Sequence, residues 1–137
     1  EQVVEGNLIV KDLQHNITLT FEHEAAVFGP RATPAGESGF LQLAEPMEAC
    51  TPLANKIPDE LNWIALIKRS PPGFDCDFVD KVRHAQDAGA LAALVYDHTD
   101  EHLIIMSKPS YISETHIPSV FLAKRDGDLL VHLIQTF

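Results

Sequence analysis

The sequence predicts an α/β domain built around a mixed sheet. Two apolar runs of strand length, Leu61 to Ile67 and Leu91 to Tyr96, flank a helix-patterned segment, Asp77 to Ala88. Earlier segments rich in Val, Ile, Leu and Thr show the partial alternation of half-buried strands. The length of 137 residues, with 45% hydrophobic and 22% charged residues, suits one globular domain with one core, so residues 1–137 are expected to form a single domain.

Val3 to Val10 and Asn16 to Phe21 are the first two expected strands, with Ile17, Leu19 and Phe21 on one side of the second. Phe28 to Gly39 concentrates Gly, Pro, Ser and Thr and reads as a surface loop, followed by a strand at Phe40 to Ala44. Prolines at 46, 52 and 58 leave room for one helical turn at most between Glu45 and Asp59. The apolar run to Ile67 ends at Lys68-Arg69, and Ser70-Pro71-Pro72-Gly73 then forbids regular structure.

Asp75 or Asp77 is placed to cap the following helix, whose inward face is expected to carry Phe78, Val79, Val82 and Ala85, with Lys81, Arg83 and Gln86 opposite. Gly89 fits its stop. The order strand, helix, strand with short connections reads as a right-handed parallel crossover. Beyond it the sequence predicts an acidic, solvated turn (Asp97 to His102), a short strand (Leu103 to Met106), a loop (Lys108 to Glu114) and a strand (Ile117 to Leu122). The last expected element is a closing helix capped by Asp126, with Leu129, Leu130 and Leu133 at helical spacing.

A formal charge of −10 without a Lys/Arg run argues against nucleic-acid binding. The longest apolar stretch, Ala88 to Tyr96, is far short of the roughly 20 residues of a membrane span. Any membrane attachment is therefore expected through a segment outside this chain. The absence of an initiating Met, a basic n-region and an apolar leader says only that any signal peptide has been removed or lies outside this chain, so the compartment has to be read from other residues. Cys50 and Cys76 could be free thiols, metal ligands or a disulfide. The acceptor triplet Asn16-Ile17-Thr18 favours the disulfide, because a glycosylated chain passes through an oxidising compartment.

Catalytic constellations are weak. Ser38, in GESG, lacks the complete turn of a nucleophile elbow. His98 and His102, with Asp97, Asp100 and Glu101, would need one helical face to chelate a metal, and the turn they occupy does not supply it. His84 and His116 read as surface or cap residues. The many carboxylates read as a solvated acidic face, and Gly-rich phosphate cradles are absent from the sequence. No cofactor is expected.

IALIKR (Ile64 to Arg69), Cys76-Asp77-Phe78, DKVRHAQDAGALAALVYDH (Asp80 to His98) and IPSVFL (Ile117 to Leu122) together resemble a protease-associated (PA) domain. AAVFGP and LAEPMEACTPLAN upstream are similar to PA domains that precede a transmembrane helix and a RING ubiquitin-ligase domain, including plant-type vacuolar sorting receptors. The resemblance covers nearly the whole chain. It implies mixed sheets closing into a partly open β-barrel with flanking helices, and a lumenal or extracellular domain that binds proteins or peptides and carries no catalytic residues. The alternative is a free-standing secreted PA glycoprotein or an accessory domain of a protease. In related sorting receptors an Arg-Gly-acidic-Cys-x-aromatic loop touches the cargo peptide. The matching positions are Arg69, Asp75, Cys76 and Phe78, with Asp77 beside them, although Ser70 to Phe74 lengthens the loop here. The resemblance also implies pairing of Cys50 with Cys76, closing a loop of about 25 residues for about 3.5 kcal/mol of stabilisation. It names neither the ligand nor the oligomeric state.

Overall fold

The computed structural model describes residues 8–12, 17–25, 38–71, 73, 76–99, 103, 104, 106 and 115–136. Residues 28–37 of the expected loop from Phe28 to Gly39, the expected loop at 108–114, residues 3–7 of the first expected strand, Asn16, Phe74 and Asp75 lie outside these residues. Strands β1 (Leu8–Asp12) and β2 (Ile17–Phe21) pair as an antiparallel hairpin. The main sheet contains β3 (Glu24–Ala25), β4 (Phe40–Leu43), β5 (Trp63–Lys68), β6 (Ala92–Tyr96) and β7 (Ser119–Leu122), in the order β3-β7-β6-β5-β4. All pairings from β4 to β7 are parallel, and β3 runs antiparallel to β7. Helix α1 (Phe78–Asp87) connects β5 to β6, and α2 (Lys124–Thr136) follows β7. The fold is thus mixed α/β. Among the described residues, the hairpin and the main sheet share no strand pairing.

Side-chain alternation along β5 and β6 divides the core into two layers. Trp63, Ala65, Ile67, Ala93 and Val95 join Phe121 and the α1 residues Val79, Val82 and Ala85 on one face. Ile64, Leu66, Leu94 and Tyr96 meet Leu122, Leu130 and the hairpin residues Val10, Leu19 and Phe21 on the other. Coverage of both faces explains why these strands read as unbroken apolar runs.

Helix α1 stops as the sequence requires. Gly89 has φ +93°, its N–H donates to Gln86 O, and Ala90 N–H donates to Ala85 O, a Schellman closure with Ala85 and Ala90 both buried. Two other expectations are corrected. Leu103, Ile104 and Met106 form no strand; they pack into the α1-side core as part of the connection to β7, where apolar burial alone explains their composition. Asp126 is not a cap, because α2 begins at Lys124 and Asp126 lies within its first turn. The inward face of α2 centres on Leu130, with Val131 and Ile134, while Leu129 is exposed.

Tyr96 shows how tightly α2 is seated. A Cβ added at Gly127 would lie 2.1 Å from Tyr96 Cγ and 2.3 Å from its Cβ, at the rigid root of the ring. Burial, then the nearby Asp128 and Glu48 carboxylates, push the Tyr96 hydroxyl up to about 12. Gly127→Ala is expected to lower stability by about 1–3 kcal/mol through overpacking, outweighing its helix-propensity gain. Urea unfolding checks this; an unchanged or higher midpoint would mean that the helix does not rest on the ring.

Candidate functional site

The polar groups of interest gather at the carboxyl ends of β5 and β6, the edge of a parallel sheet where ligands commonly sit. Arg69 directly follows β5, and its backbone N–H donates to Tyr96 O. Its Nη1 reaches Asp97 Oδ1 at 3.1 Å, with Asp97 only 1% exposed and Arg69 22% exposed. The guanidinium carbon lies 5.4 Å from the centroid of the Phe78 ring, within cation–π range. Phe78 in turn meets Phe121 edge-on at 5.9 Å, so the aromatic is both a core residue and a platform for the arginine.

Asp97 therefore belongs to the site, not to a solvated turn. Its backbone N–H donates to Leu122 O, continuing the sheet, while its Oδ1 accepts from the His98 N–H at 2.8 Å. His98 Nδ1 lies 3.2 Å from the same oxygen without hydrogen-bond alignment. Asp97 Oδ2 is buried and has no hydrogen-bond partner among the described residues. A buried carboxylate facing a guanidinium is strongly favoured over the same carboxylate alone. The pair consequently fixes where Arg69 points.

The Arg69 to Phe78 segment is tied down from below. Cys50 and Cys76 form a disulfide, with 5.6 Å between their Cα atoms, linking the residue before the α1 N-cap to the Pro-rich segment. Lys81, expected on the outer face of α1, is fully buried. Its Nζ donates to Glu48 O at 2.7 Å and Lys68 O at 3.1 Å and lies 3.9 Å from Cys50 Sγ. Lys81 sits three residues after Phe78 and four before Ala85, inside the apolar stripe, a spacing signal that its residue type masked. His84 is also no surface residue: it is half-buried, with Nδ1 2.7 Å from Ala49 O. That contact steadies Ala49, whose φ of +56° is unusual for a residue with a Cβ.

The predicted residues are thus placed unequally. Arg69 and Phe78 are in contact, with Cys76 and the exposed Asp77 at the helix entry. Asp77 occupies the N-cap position through its backbone, its carbonyl accepting from Asp80 and Lys81, with no side-chain cap bond. Asp75 lies outside the described residues. Sequence reasoning missed Asp97 and Lys81 because burial of an ionic group depends on partners distant in the chain. Among the described residues no group of three or more His, Cys, Asp or Glu could hold a metal, and no helix is long and apolar enough to cross a membrane.

A mixed sheet with a parallel centre, with Arg69 and Phe78 at its carboxyl edge, defines a mixed α/β domain. The family model of the PA domain matches residues 28–130, and the chain belongs to the PA domain family. It is 38% identical over 116 residues to receptor homology region, transmembrane domain- and RING domain-containing protein 1 of Oryza sativa subsp. japonica, covering 84% of this chain and 21% of that protein. It is 33% identical over 132 residues to the E3 ubiquitin-protein ligase RNF13 of Bos taurus, covering 93% of this chain and 33% of that protein. The chain therefore spans only a fraction of these relatives. Among solved structures, the zinc aminopeptidase BSAP of Bacillus subtilis superimposes with a TM-score of 0.65 at 20% identity, over 92% of this chain and 28% of that one. An aminopeptidase from Aneurinibacillus sp. strain AM-1 gives a TM-score of 0.56 at 25% identity, over 86% of this chain and 26% of that one. These likenesses concern the fold.

Lys81→Met keeps the length of the side chain and removes the amine. It is expected to destabilise the domain by about 2–4 kcal/mol, because the Glu48 and Lys68 carbonyls lose their charged donor and the buried amine's site is left without it. Guanidinium unfolding of the oxidised protein measures this, and a loss below about 0.5 kcal/mol would show that the amine does not hold the segment.

Proposed function

We propose that this chain is the lumenal or extracellular recognition domain of a membrane-anchored RING-type E3 ubiquitin ligase or sorting receptor, binding a protein or peptide segment through the loop around Arg69, Asp75, Asp77 and Phe78. Identity of 33–38% to relatives carrying transmembrane and RING regions or named as E3 ligases supports the setting. The observation that carries the site is the Arg69 guanidinium held between the buried Asp97 carboxylate and the Phe78 ring. Such a group is preorganised, so a ligand carboxylate or carbonyl meets it at little further entropic cost. The neighbouring α1 N-terminus adds backbone donors.

In this reading residues 1–137 form one PA domain whose strands complete a partly open barrel. The packing of the hairpin residues Val10, Leu19 and Phe21 against the main sheet is in keeping with that closure. The domain contributes binding, and ubiquitin-transfer chemistry belongs to a RING region of the whole protein. The disulfide fits an oxidising compartment, and a glycan on Asn16 would fit the same one.

The test is affinity. Protein ligands captured from a lumenal or secreted extract by the wild-type domain are expected to bind Arg69→Ala and Phe78→Ala at least about tenfold more weakly, ~1.4 kcal/mol. Leu129→Ala, on the exposed side of α2, should bind as wild type. Wild-type affinity in both loop variants, with native circular dichroism, would remove the assignment.

A further inference from the structure

A buried cation stands beside one sulfur of the disulfide. Lys81 Nζ lies 3.9 Å from Cys50 Sγ, and its bonds to Glu48 O and Lys68 O, at 2.7 and 3.1 Å, hold it there. Swinging the amine away would leave two carbonyls without that donor. Cys76, by contrast, directly precedes the acidic N-cap residue Asp77 of a helix whose first turn carries Asp80. Neighbouring carboxylates disfavour a thiolate and offset the pull of the helix amides, whereas an adjacent ammonium favours one. Of the two sulfurs, Cys50 is the better leaving group. Neither cysteine is fully buried.

We propose that Cys76 is a modification site at which a low-molecular-weight thiol forms a mixed disulfide with this domain, Cys50 departing as a thiolate held by Lys81. The external thiolate attacks Cys76 Sγ, a new S–S bond forms there, and the bond to Cys50 breaks with its electron pair staying on Cys50 Sγ. No net electrons are transferred in this step. Return attack by Cys50 expels the small thiol and restores the bond. While the adduct lasts, the entry to α1 loses its covalent tie to the Pro-rich segment and is still held there by Lys81 and His84. This inference stands apart from ligand binding, since it concerns only the disulfide and its neighbours.

The experiment incubates the oxidised, folded domain with reduced glutathione, quenches in acid, alkylates free thiols and maps both cysteines by mass spectrometry. Glutathione is expected on Cys76 and the alkyl label on Cys50, by at least about threefold over the reverse. Predominant or equal glutathione on Cys50 would overturn the proposal. So would the absence of any adduct at a glutathione concentration that modifies an exposed disulfide. A second measurement compares iodoacetamide alkylation against pH in Cys76→Ser and Cys50→Ser. Cys50 should react with an inflection at lower pH than that of Cys76, and Lys81→Met should narrow the gap. Coincident or reversed inflections would also overturn the proposal.

Discussion

A buried ammonium is costly unless several acceptors surround it, and the position of Lys81 organises much of this domain around that requirement. To reach Glu48 O and Lys68 O at once, α1 must lie against the end of β5 while the segment after β4 folds back beneath both. The same segment carries Cys50 and Ala49, which the disulfide and His84 join to α1. Three dissimilar contacts, a charged hydrogen-bond donor, a covalent bond and an imidazole, thus converge on residues 48–50. They convert a Pro-rich stretch with little regular structure into a fixed support.

That support matters because it lies beneath the loop that leaves β5. Arg69 is fixed at one end by its N–H to Tyr96 O and at its tip by Asp97 and Phe78. The loop returns at Cys76, anchored again. In the proposed reading, an arginine pinned at its backbone and at its tip while staying partly exposed meets a ligand with its ordering already completed on folding. The opposite face of the sheet has a different role. Tyr96, Gly127 and the hairpin residues close a layer in which apolar packing dominates.

The sequence made the centre of the fold legible and left its edges obscure, for physical reasons. Continuous apolar runs and a Gly89 stop mark β5, α1 and β6 within a residue or two, because burial on both faces and left-handed backbone geometry leave direct traces in residue type. The two-residue β3 has no such trace, and Leu103, Ile104 and Met106 show that apolar residues in a connection mimic a strand. At the candidate site, motif resemblance points to Arg69, Asp75, Cys76 and Phe78, with Asp77 beside them. Asp97 looked like part of an acidic turn and Lys81 like part of a polar helix face, because the partners that justify their burial lie 28 residues away for Asp97 and 33 and 13 away for Lys81. Residue type states the cost of burying a charge; only the fold states what offsets it.

The central claim, that a preorganised loop at the carboxyl edge of β5 and β6 contacts the ligand, is tested most directly by amide hydrogen exchange on the wild-type domain with and without a captured protein ligand. The account predicts added protection at Arg69, Ser70, Cys76 to Phe78 and His98, with β5 and β6 already slow in the free protein and unchanged on binding. Protection confined to the β1–β2 hairpin or to α2, with the Arg69 loop unaffected, would contradict it.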